Sequence, residues 1–426
     1  MIDDMTHPEQ INTEVLIIGA GPAGLAAAAQ LLKLGVEKVL VIDREAQAGG
    51  IPRHCDHTGF GWFDLHRIHS GPSYAKKYVR LAELEGVDIA TETTAQHWTG
   101  DLSLQVTSPT GVKNITADAI LLATGCRERP RAAKLIPGNR PLGIYNTGSL
   151  QQLSYLKKLK IGKKAIVIGA EHVSYSAVHT LHRNNTPVVA MITEHSHHQT
   201  YLPFYWGTRL YYRTPLLTSY KVTNIHGLNR VEAIEITSTQ TGEKKQLECD
   251  SIIFTGDWIP DHDLARKGNV TLNKCTNGPE IDQNLRTSKQ GIFAAGNLLH
   301  GVERADTAAL EGRHVANCIA SYLTTNRWPA KTRIPIIINS PLTWISPNIV
   351  VPETNTTPPL NHFTFRSGEF LGETIVEVTR GGNLLHIQTF RKLIPNRWFH
   401  LDCHWISQLS PHPNSNKIHI RIMQDL

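Results

Sequence analysis

Residues 14–43 read EVLIIGAGPAGLAAAAQLLKLGVEKVLVID, and this stretch decides the fold. Val15 to Ile18 is a short apolar run, typical of a strand buried on both faces of a parallel sheet. Gly19-Ala-Gly21-Pro22-Ala23-Gly24 then turns into an Ala/Leu-rich helix ending near Gly35. Val39 to Ile42 predicts a second strand, closed by Asp43. A lone G-x-G-x-x-G is weak, but here it follows a strand, opens a helix and is followed by an acid at the right place. The glycines permit a tight turn, close approach of a pyrophosphate, and close helix–strand packing. The helix N-terminus favours phosphate charge, and Asp43 can accept hydrogen bonds from a ribose. Val15 to Leu32 is also free of charge, yet its glycines and proline carry too much turn chemistry for a membrane span.

The pattern returns 150 residues later. KAIVIGAEHVSYSAVHTLHRNNTPVVAMITE repeats strand, turn, helix and strand, with Gly169 in the place of Gly19. A second echo follows: SLQVTSPTGVKNITADAILLATG, ending at Gly125, is similar to AIEITSTQTGEKKQLECDSIIFTG, ending at Gly256. Two Rossmann-like units, one inserted in the other, explain both echoes. A third segment, RTSKQGIFAAGNLLHGVERADTAALEGR, predicts a strand at Ile292 to Ala295 and a helix beginning near Asp306-Thr307.

GAGPAG with Asp43, the Ala123-Thr124-Gly125 triplet, and IFAAGN with its following helix together resemble the flavoproteins with two dinucleotide-binding domains, the family of thioredoxin and glutathione reductases. The resemblance covers roughly residues 14 to 327. It implies an α/β fold with two Rossmann-like domains, the second inserted in the first, and FAD in the first. The implied organisation is residues 1–133 and 262–327 for the FAD domain and 134–261 for a degenerate NAD(P)-like domain. Implied FAD contacts are Gly19, Gly21, Pro22, Ala23, Gly24, Asp43, Arg44, Gly50, Ile51, Ala95, Ala123, Thr124, Gly125, Gly296, Asn297 and Thr307. Asn297 stands where the family usually has Asp; its side-chain carbonyl still offers an acceptor to a ribitol hydroxyl.

The second unit departs from the pattern. Glu171 and Ser174 stand where Gly21 and Gly24 stand in the first, so a bulky carboxylate faces the place of a pyrophosphate. Either the loop drifted in a retained structural unit, or this flavoprotein does not take electrons from NAD(P)H. The sequence favours the second reading, although Glu171 turned aside would still admit the nucleotide.

The family disulfide is absent too. GGIPRHCDHTGFG, Gly49 to Gly61, holds Cys55 alone, and dithiol exchange needs a second thiol. This loop resembles that of FAD oxidoreductases found beside glycerol-3-phosphate dehydrogenases. The architecture resembles the FAD subunits of opine oxidase, hydrogen cyanide synthase and dye-linked proline dehydrogenase, without their C-terminal cluster cysteines. These resemblances imply oxidation of a small amine or hydroxy compound, with a partner subunit or separate electron acceptor. An NAD(P)H-dependent flavin reductase and a flavin-bearing electron-transfer subunit are the alternatives. The loop supplies the catalytic candidates: His57 as a base, and Cys55 as a thiolate partner for the flavin, given charge from Arg53, His54 and His57.

Composition excludes other classes. The 426 residues are 40% hydrophobic and 19% charged, an ordinary globular balance. The formal charge of +6 is spread thinly, so no dense basic run demands nucleic acid. Six cysteines without a C-x-x-C fit a reducing compartment and no zinc ribbon or iron–sulfur cluster. With polar, acid-containing residues from Met1 to Glu14 and no predicted membrane span, the expectation is a soluble, cytoplasmic protein. No metal set is expected, and His195, His197 and His198 read as a solvated loop. After Trp328-Pro329 the strand-like runs ETIVEVT, HIQTF, RWFHLDCHWI and KIHIRIM, with a turn at 381–383, predict a small all-β domain over 328–426.

Overall fold

The computed structural model describes residues 8–329, 332–354, 356–409 and 417–423; the opening residues 1–7 of the polar N-terminal stretch lie outside them. Val15, Leu16 and Ile17 are fully buried, as an apolar run in a covered parallel sheet must be. Their strand, Glu9–Ile18, is central in a parallel array ordered Asp88–Ala90, Val39–Ile42, Glu9–Ile18, Gly111–Leu122 and Ile292–Ala294. The long strand Gly111–Leu122 serves two partners on its outer edge. Its first half pairs antiparallel with Ser103–Ser108, and its end pairs parallel with Ile292–Ala294.

The second sheet repeats the arrangement with Ile144–Asn146, Ser251–Phe254, Ala165–Ile168, Val188–Ile192 and Leu216–Leu217, all parallel. The echo holds to the residue: strands end at Ile18 and Ile168, and helices span Pro22–Lys33 and His172–Arg183. A short ribbon pairing Cys126–Glu128 with Trp258–Pro260 forms the two crossings between the units.

Glycine fixes two close approaches behind the first turn. A methyl group on Gly24 would fall 2.0 Å from the Gly19 carbonyl oxygen, so helix and strand pack backbone to backbone. One on Gly312, in the helix Ala305–Thr325, would fall 2.2 Å from the Ala23 oxygen, so two helices meet equally closely there.

The C-terminal region is a five-stranded and a three-stranded sheet around Phe363, Phe365, Val376, Val378 and Trp405. Gly381 and Gly382 have positive φ and form the expected turn between Thr374–Arg380 and Asn383–Phe390. One expectation fails: in RWFHLDCHWI only Trp398–Asp402 is a strand, and His404–Gln408 is a 3-10 helix. Asp402 ends the strand by accepting the His404 N–H at 2.8 Å, and Trp405 turns inward to the core. The module is bolted to the first unit by buried hydrogen bonds: Gln283 Nε2 donates to the Val351 oxygen and Oε1 accepts the Val351 N–H. Among the described residues no helix is long and apolar enough to cross a membrane. None of their His, Cys, Asp and Glu groups is clustered to hold a metal ion.

Candidate active site

A cavity of about 1450 Å³ runs from the first glycine turn, under the loop 50–60, to the helix His172–Arg183. That exceeds the roughly 300–1,000 Å³ of an ordinary ligand pocket.

Its first end is built by the GAGPAG turn. Gly19 has φ +112°, and a methyl group there would fall 2.3 Å from the Ala123 oxygen. Gly50, at φ +65°, lies against Gly21 Cα, and the neighbouring Gly49 N–H donates to the Ala20 oxygen at 2.7 Å. A methyl group on Gly21 would meet nothing within 4 Å. The backbone therefore leaves a cradle in front of the helix N-terminus, where Pro22 stands at the first turn. Asp43 sits at the strand end, its carboxylate accepting the Ala20 and Glu45 N–H groups at 2.7 and 2.8 Å. Four lone-pair sites leave it capacity for ribose hydroxyls. Arg44 pairs with Asp261 at 3.1 Å at the rim.

Most expected contacts reach this wall: Gly19, Gly21, Pro22, Ala23, Asp43, Arg44, Gly50, Ile51, Ala95, Ala123, Thr124, Gly125, Gly296 and Asn297 all line it. Gly24 does not; it serves helix packing. Of the helix start, Ala305, Asp306 and Ala308 line the cavity, and Thr307 is not among the lining residues. Asn297 is also partly engaged, its Oδ1 accepting the Glu303 N–H at 2.9 Å.

The loop carrying Cys55 and His57 is held from both sides. Gly71 lets the helix Gly71–Leu84 press against it: a methyl group there would fall 2.3 Å from the Cys55 oxygen and 2.4 Å from the Pro52 oxygen. Farther on, the Asp306 carboxylate accepts the Gly61 and Phe63 N–H groups, both at 2.9 Å.

The surroundings of Cys55 favour the thiol over the expected thiolate. Sγ is buried and donates to Gln151 Oε1 at 3.3 Å, and burial with the nearby Glu128 carboxylate pushes the thiol up to about 12. Arg53 turns away to the Gln47 oxygen and the Glu45 carboxylate, and burial holds His54 down at about 4, so the expected positive charge is missing. His57 fares differently. Nδ1 lies 3.0 Å from the Thr58 carbonyl, which can only accept, so Nδ1 carries the hydrogen and Nε2 keeps its lone pair. Burial holds its pKa below the usual histidine value, which leaves a neutral imidazole. His66 and His69 are off the cavity wall.

The far wall escaped the sequence reading. His172, Tyr175, Ser176, His179 and Arg183 line the cavity at spacings that share one helix face. Arg183 bridges to Asp56 at 3.3 Å, and Gln151 ties the walls by accepting from Cys55 and donating to Ser176 Oγ at 2.9 Å. His179 Nδ1 contacts the Tyr212 hydroxyl at 2.7 Å, while Phe204 stands edge-on to His172. Burial lowers His172 to about 4. The only sequence signal was the spacing of His172 and His179 on a helix whose facing surface was unknown. Glu128, on the crossing ribbon, was likewise missed: Oε2 accepts the Gly148 N–H at 2.7 Å, and burial raises its pKa to about 7. Trp398 brings the C-terminal module to the wall, with Arg304 stacked between it and Phe63. The histidines at 195–198 are not simply solvated: His195 and His197 pack on Phe370, and His198 stacks on Tyr205.

Glu171 lies over the second turn. A methyl group built on Gly169 would fall 2.7 Å from its Oε2, and one on Gly256 would fall 3.2 Å from its Cδ. The carboxylate thus folds across the two glycines that flank the place of a phosphate. Behind it Ser174 and Thr255 close a hydroxyl contact of 2.7 Å.

A repeated Rossmann unit, a glycine cradle and a strand-end acid define a dinucleotide-dependent oxidoreductase. Residues 13–312 match the pyridine nucleotide-disulphide oxidoreductase family, and the chain belongs to it. It is 26% identical to a thioredoxin reductase of Treponema pallidum (strain Nichols) over 337 residues, 73% of this chain and 97% of that one. It is 26% identical to a soluble pyridine nucleotide transhydrogenase of Pseudomonas aeruginosa (strain LESB58), over 72% of this chain and 71% of the relative. Among solved structures, T. acidophilum thioredoxin reductase superposes with a TM-score of 0.62 at 20% identity, over 74% of this chain and 99% of that one. L-proline dehydrogenase from P. horikoshii gives 0.54 at 18% identity, over 75% and 57%. These two share the fold. FAD is the cofactor of the family, and the open cradle at Gly21 with Asp43 beside it fits that group.

Proposed function

We propose that this flavoprotein is a dehydrogenase or oxidase of a small amine or hydroxy compound, and that it takes its electrons from that substrate rather than from NAD(P)H. The observation that carries this reading is the Glu171 carboxylate folded over Gly169 and Gly256, which opposes a pyrophosphate by charge and by volume. His172, Tyr175 and His179 of the second unit line a room continuous with the first cradle. Disulfide exchange is disfavoured as well, because all six cysteines are free and burial pushes up the thiols of Cys55 and Cys126 on the cavity wall.

Bound FAD supplies a two-electron acceptor. Gly19, Gly21 and Gly50 would admit its pyrophosphate to the helix N-terminus, and Asp43 would accept from its ribose. His57 is the base: Nε2 holds a free lone pair, the ring is neutral, and the clamped loop fixes its place. It would take the proton that an amine N–H or a hydroxyl O–H releases on oxidation. Arg183 and Asp56 bridge the two walls at the rim.

The test is anaerobic bleaching of the purified yellow protein. Rapid bleaching by one of a panel of amines, amino acids and hydroxy acids, with slow or no bleaching by NADH and NADPH, is the expected result. The second reading is an NAD(P)H-dependent reductase, favoured by the names of the relatives at 26% identity. Rapid bleaching by either nicotinamide would establish it.

A further inference from the structure

The helix Leu202–Leu210 stands out from the second unit: of its residues only Thr208 is buried. One face is accounted for, since Phe204 and Thr208 line the cavity, with Tyr201 before the helix and Tyr212 after it. The other carries Leu202, Trp206 and Leu210, one turn apart and 58%, 49% and 69% exposed. Arg209 lies beside them and Arg213 just past the helix end, both exposed. A second exposed apolar group stands on the same cavity: Trp62, Phe63 and Ile68, each about half exposed, with exposed Arg67 among them. The two groups meet along one rim, where Phe63, Arg304, Trp398 and Tyr201 succeed one another at 4.1, 4.9 and 6.5 Å. Monomeric surfaces rarely gather so much apolar side chain without a use.

We propose that these two segments dock the protein on the surface of an anionic lipid bilayer. Charge selects the occupant. Between Glu194 and Glu232 the chain has no acid, against Arg209, Arg213, Lys221 and Arg230. Between His57 and Ala82 its sole acid is Asp64, turned inside, where it accepts the Tyr74 and Tyr78 hydroxyls at 2.6 and 2.5 Å. Among the described residues none of Arg67, Arg209 and Arg213 is paired with an acid. Apolar side chains interleaved with uncompensated arginines suit a surface that is anionic at its face and apolar beneath, which is the order of a lipid leaflet. Trp62, Trp206 and Tyr211 are rings of the kind that settle at the headgroup level. A second copy of the chain is a poor occupant, because it would set these arginines against their own equivalents. A flat protein face suits a single protruding helix less well than a layer into which it can sink. The docking is independent of the dehydrogenase reading and goes beyond it: it turns the mouth of the cavity toward the lipid.

The test is cosedimentation of the FAD-loaded protein with vesicles of equal parts phosphatidylglycerol and phosphatidylcholine, and with vesicles of phosphatidylcholine alone. The protein should bind the anionic vesicles at least about tenfold more tightly than the neutral ones, and raised salt should erase the difference. Arg209→Gln combined with Arg213→Gln should weaken anionic binding at least about tenfold. Trp206→Ser should do the same, with Leu202→Ser combined with Leu210→Ser as the second apolar variant should the first fail to fold. None of these residues lines the cavity, so flavin per chain should stay at the native level and, with melting, reports folding. Failure of the native protein to sediment with the anionic vesicles overturns the proposal. So does anionic binding retained by the arginine variant or by the folded apolar variants. Binding to poly-glutamate without binding to anionic vesicles overturns it in favour of an acidic protein partner. A native dimer that Trp206→Ser splits in gel filtration overturns it in favour of a second copy.

Discussion

Replacing Gly21 with valine separates cofactor binding from folding. Gly21 has φ −83° and ψ −175°, extended backbone that any residue adopts, and a Cβ there meets no atom of the protein within 4 Å. The apo variant should therefore keep its stability to within about 0.5 kcal/mol. The added side chain stands in the cradle in front of the helix N-terminus. Hydrogen bonds to a charged group contribute about 1.5–3 kcal/mol each. Displacing a pyrophosphate from two N–H groups would then cost about 3–6 kcal/mol, or about 10²–10⁴ in Kd. The assay is flavin per chain after gel filtration, with melting of the apo protein alongside. Gly24→Val is the control: its side chain would strike the Gly19 oxygen from 2.0 Å, so flavin and fold should be lost together. A Gly21→Val protein that is folded and fully yellow would refute the placement of FAD in this cradle.

Glu171→Gly removes the carboxylate from the second turn; two charges about 4 Å apart at an effective dielectric of about 20 repel by about 4 kcal/mol, so NADH affinity should improve by at least about tenfold. Unchanged NADH affinity in stopped-flow reduction would mean that Glu171 is not what excludes the nucleotide. Cys55→Ser should leave the flavin spectrum unchanged through neutral and mildly alkaline pH, because the native thiol, at about 12, stays protonated there. Loss of a long-wavelength band in the variant would show a thiolate contact after all. His54 is held at about 4 against an ordinary 6.5, so its folded form binds its proton less readily than the unfolded chain does. The stability it contributes is whole above pH 6.5 and is lost as pH falls toward 4, by about 3 kcal/mol in all. Denaturant titrations should show a shallower acid loss in His54→Gln, and an unchanged slope would count against the burial argument.

How much was legible follows the range of the forces involved. Gly19, Gly24 and the run Val15–Ile18 answer local demands: a positive φ, a helix against its own strand, a strand covered on both faces. Such demands are written within a few residues of where they act. The sequence therefore determined the repeated unit, its spacing of 150 residues and nearly all of the first cradle. The C-terminal strands were legible for the same reason, and His404–Gln408 was not, because the inward turn of Trp405 depends on a core assembled from the other strands. Cys55 shows the limit most plainly. Its neighbours in sequence are Arg53, His54 and His57, but its neighbours in space are Gln151 and Glu128, and burial with the Glu128 charge favours the thiol. Tertiary structure alone brought Glu128, from a crossing ribbon, and Glu171, from a helix start, close enough for one to raise the pKa of the other. Burial and the approach of like charges belong to the folded surface as a whole, and no short stretch of sequence carries them.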